Sequence, residues 1–96
     1  MLYTVSQSPF RTDIQSLLNL LSPEDDILFT EDGVIAATEG NPLLQALIQS
    51  GHIPCVLRED AEARGLLPFL SDKVRITDYT GFVELTVTHT QHFAWE

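Results

Sequence analysis

The groups in this 96-residue chain that chemistry could use are one thiol, three imidazoles, one lysine and fourteen carboxylates. The thiol is Cys55, in the stretch GHIPCVLRED. A nucleophilic or sulfur-carrying cysteine needs exposure and a pKa lowered by nearby positive charge or a helix N-terminus. Cys55 instead falls inside an apolar run over residues 53–57, with Arg58 the neighbouring cation in sequence. A free cysteine in such a run behaves as a small hydrophobe, so a packing role is expected. His89 and His92 stand three apart, a spacing that can bring two imidazoles to one metal ion. Two ligands are too few, and His52 belongs to a different segment, so no metal site is expected.

The carboxylates Asp25, Asp26, Glu31 and Asp32 flank the apolar segment ILFT. A magnesium-dependent phosphoacceptor would need such carboxylates to converge beside a lysine. Lys73, the single lysine, precedes a later strand and is placed at the opposite sheet edge, so solvated acids are expected. There is no G-x-G-x-x-G or Walker-type pattern, and the five glycines are scattered as turn and cap residues. A nucleotide cofactor is not expected. In the closing QHFAWE, Phe93 and Trp95 occupy a stretch where chains usually fray. Aromatic residues there must dock on their own domain or on a partner, which makes Phe93 and Trp95, with the apolar helix faces, the interface candidates.

The elements that position these groups follow from periodicity. LYTV at residues 2–5 and DILFT at 26–30 are short apolar runs of strand-forming residues. Their near-continuous apolar character suits parallel strands covered on both faces. Ser8-Pro9 carries the signature of a helix start, followed by Phe10, Ile14, Leu17, Leu18 and Leu21 on one stripe. Asn41-Pro42 repeats that signature before Leu43, Leu44, Leu47 and Ile48, and Gly51 ends the helix. VIAAT suits one helical turn. Residues 53–57 form a third strand, 59–64 a short helix closed by Gly65, and 74–77 a fourth strand. After Asp78 two readings compete. The alternation of Val83, Leu85 and Val87 favours a strand, whereas a helix puts Tyr79, Phe82, Val83 and Thr86 on one face with Asp78 as its cap. Pattern alone slightly favours the strand.

Strands alternating with helices at this spacing predict an α/β fold, a small parallel sheet of about four strands with crossover helices on both faces. Strand-to-helix loops gather at the carboxyl edge of such a sheet, where ligand sites usually form. Here they read SQSP, EDGV, REDA and TDYT, and three of the four carry acid. Ninety-six residues make one domain, 1–96, able to fold alone with little margin. The formal net charge of −9, with no cluster of Lys or Arg, excludes direct nucleic-acid binding. A lone cysteine forms no internal disulfide, the N-terminus lacks a signal-peptide pattern, and no apolar run reaches the ~20 residues that cross a bilayer. A cytoplasmic chain that makes no membrane contact is expected.

Several stretches together resemble the TusB/DsrH family of small sulfur-relay subunits, relatives of DsrE and DsrF. They are LYTVSQSPF, DILFTEDGVIAA, LREDAEARGL, ITDYTGFVELTVTH and the terminal AW, in order and across nearly the whole chain. The resemblance implies a DsrE/F/H-like parallel sheet, half of a flavodoxin-like arrangement, and makes residues 79–89 a helix. It implies a heterohexamer with TusC-like and TusD-like subunits, two copies of each. In such relays TusA delivers a persulfide to the cysteine of the TusD-like subunit, which passes it to TusE. The sulfur ends in the 2-thiouridine of the tRNA wobble position. DsrH-type members carry a cysteine in the first helix, at the position that here falls on Leu17. Leucine cannot hold a persulfide, so no catalytic residue is carried over, and Cys55 lies outside the motif. The resemblance therefore implies a non-catalytic structural subunit without a cofactor. Three alternatives stand beside it: a persulfide carrier using Cys55, a DsrH-like subunit in sulfur oxidation, and a stand-alone binding module using the acidic loops.

Overall fold

The computed structural model describes residues 1–11 and 13–95. The elements run β1 (Leu2–Val5), α1 (Ile14–Leu20), β2 (Asp26–Phe29), α2 (Pro42–Gln49), β3 (Cys55–Leu57), α3 (Arg58–Ala63), β4 (Arg75–Thr77), α4 (Tyr79–Thr88) and β5 (His92–Trp95). Short 3-10 segments over Pro9–Arg11, Glu31–Ala37 and Leu67–Phe69 fill three of the connections. The five strands form one parallel sheet in the order β4-β3-β2-β1-β5. The sheet thus has one strand more than the sequence predicts, because the aromatic tail pairs with β1, Leu2 opposite His92 and Val5 opposite Trp95.

Side chains alternate across the sheet and define two unequal layers. On one face Tyr3, Val5, Ile27, Phe29 and Val56 meet Leu17 of α1, Leu43 and Leu47 of α2, and Val34 of the Glu31–Ala37 segment. On the other face Leu2, Leu28, Cys55 and Leu57 meet only Phe82 and Leu85 of α4. The first layer is the larger and drier, and fully burying a side chain such as Phe29 there is worth about 2–3 kcal/mol.

Local chemistry sets the element ends. Asn41 caps α2 by accepting the Leu43 N–H at 3.0 Å, and Pro42 occupies the first turn, as the sequence predicts. Beyond it Gly51 takes φ 92°, and Gly65 does the same at φ 68° after α3. The first helix is the exception. Ser8-Pro9 opens only the 3-10 turn, and α1 starts later, where the Asp13 carboxylate accepts the Ser16 N–H at 3.2 Å. Phe10 consequently leaves the predicted stripe and is exposed, while Leu17 keeps its place in the core. The Ile14 side chain of that stripe lies outside the described residues. The third strand is shorter than predicted, since Ile53 precedes it and is exposed.

Candidate functional site

Cys55 opens β3, and its side chain faces the α4 layer opposite Arg75 of β4. It is 6% exposed. Its thiol lies at the floor of a cleft of about 310 Å³ between β4 and α4, rimmed by Arg75, Thr77, Gly81, Glu84 and Thr88. Burial pushes the thiol pKa up, the Asp26 carboxylate adds to the rise, and the Arg75 guanidinium only partly offsets it. Such a thiol stays protonated at neutral pH and is a poor nucleophile. Leu17, the other position at issue, is fully buried on the opposite face of the sheet.

The four carboxylates around β2 do not converge. Asp25 and Asp26 sit at the amino edge, where Asp25 accepts from the Met1 ammonium at 2.9 Å and Asp26 pairs with His89 at 2.7 Å. Glu31 and Asp32 sit at the carboxyl edge, two to three residues past the end of β2. There the Asp60 carboxylate accepts the Glu31 N–H at 2.6 Å, and Arg64 bonds Asp32 at 3.2 Å. The Asp60 bond holds Glu31 at φ 51°, a left-handed conformation that costs a non-glycine residue roughly 1 kcal/mol or more. Glu59 accepts the Tyr79 N–H at 3.1 Å and Asp78 accepts the Gly81 N–H at 2.8 Å, so both satisfy free donors of the α4 N-terminus. The acids of the carboxyl-edge loops therefore hold turns and helix starts in place. Lys73 precedes β4, and no ion pair joins it to a carboxylate among the described residues.

The histidines are also divided. His92 Nε2 faces the Thr86 and His89 carbonyl oxygens at 2.9 and 2.8 Å, closing the C-terminal end of α4. His52 bonds the Ser22 carbonyl and the Ser50 hydroxyl, at 3.0 Å each. Among the described residues no three His, Cys, Asp or Glu side chains are grouped to hold a metal ion. No helix among them is long and apolar enough to cross a membrane.

The two aromatic residues of the tail lie on the edge strand β5. Trp95 packs against the core of the α1/α2 layer. Phe93 stacks on Tyr3 at 5.9 Å and on Trp95 at 6.1 Å, yet remains 46% exposed on the edge strand. Among the apolar helix faces that the sequence offers as further interface candidates, the flank of α4 carrying Tyr79, Val83 and Val87 is exposed. The sequence reading places Tyr79 and Val83 on one helical face; Val87 joins them at i+8, the spacing of a helical stripe.

The family model for DsrH-like proteins matches residues 7–92. The chain belongs to the DsrH family. Protein TusB of Photorhabdus laumondii is 55% identical over 95 residues, covering 99% of this chain and all of that protein. Protein TusB of Erwinia tasmaniensis is 45% identical over the same share of both chains. The crystal structure of the ychN protein from E. coli superposes with a TM-score of 0.75 over 98% of this chain and 97% of that one. At 16% identity this last likeness speaks for the fold, a DsrE/F-like parallel sheet. The DsrH-family assignment agrees with the helix over residues 79–89 that the resemblance implies, and α4 runs there with Asp78 as its cap. The strand favoured by pattern alone is not formed.

Proposed function

We propose that this chain is a non-catalytic structural subunit of a TusBCD-type sulfur-relay complex in the cytoplasm. The complex passes persulfide sulfur from TusA through the cysteine of a TusD-like subunit to TusE, and on to the 2-thiolation of the tRNA wobble uridine. This chain completes a heterohexamer with TusC-like and TusD-like subunits and holds the cysteine-bearing partner in place. The observation that carries the reading is the state of its only thiol. Cys55 is buried, lines one cleft with Arg75, and has its pKa pushed up rather than down. Leu17 stands where DsrH-type members carry their cysteine. DsrH-family membership supplies the relay setting. The net charge of −9 fits a subunit that leaves RNA contact to others.

Genetic complementation tests this. In a strain lacking the gene, wobble 2-thiouridine is measured in bulk tRNA after expression of the wild type or of Cys55→Ser. Equal restoration by both is expected. Loss of thiolation in a folded Cys55→Ser chain would establish Cys55 as a persulfide carrier and overturn the structural role. Failure of the wild type to copurify with TusC-like and TusD-like subunits would remove the complex itself.

A further inference from the structure

Three polar groups that the fold leaves unspent gather beside α2. A cleft of about 330 Å³ lies between the exposed side of α2 and the chain entering β4. Glu39 and Lys73 both line it. No ion pair joins either of them to another charge among the described residues, so two opposite charges share one cleft without pairing. Ser71 lines the same cleft and is only 4% exposed. Its Oγ accepts the Lys73 N–H at 3.1 Å, and its own proton has no acceptor among the described residues. A hydroxyl donates once and accepts twice, so this buried group still has a donor to offer.

Backbone bonds fix the walls of the cleft. Residues 37–39 and 69–71 meet as a short antiparallel pair around Thr38 and Leu70. There Glu39 N–H donates to Phe69 O at 3.0 Å, and Ser71 N–H donates to Ala37 O at 2.9 Å. Gly40, at φ 83°, leads from Glu39 into the Asn41 cap of α2. Glu39 and Ser71 thus stand on backbone that is held without any ligand. Leu44, 2% exposed, and the half-buried Ile48 give the cleft an apolar lining. Its volume falls at the small end of ligand pockets, roughly 300–1,000 Å³, which likewise combine apolar surface with a few polar groups.

We propose that this cleft binds a free α-amino acid with an aliphatic side chain. The ligand carboxylate meets Lys73 and takes the unspent proton of Ser71, the ligand ammonium meets Glu39, and the side chain lies on Leu44 and Ile48. The charges select this class. A simple anion satisfies Lys73 alone and must approach a chain of net charge −9. A simple cation satisfies Glu39 and leaves Lys73 unpaired. A zwitterion pairs with both and adds no net charge. Hydrogen bonds between charged groups of this kind are about twice as strong as neutral ones. The site shares no residue with the Cys55 cleft and stands apart from the sulfur-relay reading.

The test titrates the isotope-labelled full chain with L-leucine, isocaproate or isoamylamine, each up to about 10 mM, and follows the backbone amides by NMR. Isocaproate is leucine without its ammonium, and isoamylamine is leucine without its carboxylate. Leucine should give saturable shifts at Gly40, Gln45 and Lys73 with a Kd of about 1 mM or tighter. Each analogue should bind at least about tenfold more weakly. Leucine should lose the same factor on Lys73→Gln and on Glu39→Gln, but bind Glu24→Gln, at an exposed position outside the cleft, as it binds the wild type. Glu39 and Lys73 are exposed, so both variants should keep the wild-type Tm within a few degrees. Absence of saturable shifts with leucine overturns the proposal. Equal binding of either analogue overturns the zwitterion, and equal binding by both charge variants overturns the cleft assignment. Each of these failures leaves the relay complex standing.

Discussion

Replacing Gly33 by alanine pushes a methyl group into the backbone at the end of β1. Gly33 lies in the Glu31–Ala37 segment, which folds back over the carboxyl ends of β1 and β2. A β-carbon built there would stand 1.9 Å from the Val5 carbonyl oxygen and 2.8 Å from the Val5 carbonyl carbon. An ordinary carbon–oxygen contact is about 3.4 Å, so the segment must retreat by roughly 1.5 Å. The retreat strains two bonds at once, because the Val5 oxygen also accepts the Thr30 N–H at 3.0 Å and Gly33 N–H donates to Ser6 O at 3.2 Å. It also lifts Val34, Ala36 and Ala37 out of the core layer. Overpacking of this kind costs about 1–3 kcal/mol and a weakened backbone bond adds about 1 kcal/mol, for a total near 3 kcal/mol.

A domain of this length holds roughly 5–14 kcal/mol, so Gly33→Ala removes a large share of it. Urea unfolding followed by circular dichroism is the assay. A fall in midpoint at unchanged slope is expected, together with a Tm lower by more than about 10 °C. Gly65→Ala is the comparison, since its added methyl meets nothing within 4 Å but its φ is 68°. It should cost only about 1 kcal/mol. A Gly33→Ala chain within 0.5 kcal/mol of the wild type would refute the steric account of this junction.

Three further expectations rest on other elements. Asn41→Ala removes the side-chain cap of α2 and should cost about 1 kcal/mol by urea unfolding, with Asn41→Asp recovering most of it. Cys55 should react with a thiol reagent at least about a hundredfold more slowly in the native chain than in denaturant, given its burial and raised pKa; equal rates would contradict the buried thiol. For Asp25, burial works against the charge, but bonds from the Met1 ammonium and the Ser22 N–H outweigh it and hold the carboxyl below its ordinary value. Its stabilising contribution is therefore complete above the ordinary carboxylate pKa and is lost as pH falls through the lower folded value. Acid unfolding of Asp25→Asn should accordingly show a shallower pH dependence below about pH 4 than the wild type.

The sequence was most legible where one physical signal acted alone. Asn41-Pro42 and Gly51 mark α2 because capping and a positive φ are local requirements, met or missed within a few residues. The buried runs of β1 and β2 announce a doubly covered parallel sheet in the same way. Misreadings arose where two signals competed. Ser8-Pro9 imitates a helix start, but Asp13 is the residue whose carboxylate meets a free N–H. Phe93 and Trp95 alternate with His92 and Ala94, the period of a strand, yet their place in a stretch expected to fray hid β5. Gly33 reads as a breaker in sequence, while its role is close approach to Val5, a contact between segments 28 residues apart in the chain. The candidate site was less legible than the fold. The partition of Asp25, Asp26, Glu31 and Asp32 between opposite edges follows only once β2 has a direction.

Helix α4 joins these points. Its sequence YTGFVELTVT holds five β-branched residues and a glycine in ten, and relative to alanine that composition costs roughly 5 kcal/mol of helix propensity. An isolated helix of that length and composition does not form in water. It forms here because Asp78 and Glu59 satisfy its first N–H groups, His92 its last carbonyls, and Phe82 and Leu85 anchor it to the sheet. The strand pattern of Val83, Leu85 and Val87 is thus split by the helix, which sends Leu85 inward and both valines outward. An outward valine forfeits about 0.5 kcal/mol against alanine and regains it only when another surface covers it. Val83→Ala and Val87→Ala should therefore each stabilise the isolated chain by roughly 0.5 kcal/mol in urea unfolding. Alanine variants less stable than the wild type would show that these valines are covered within the chain itself.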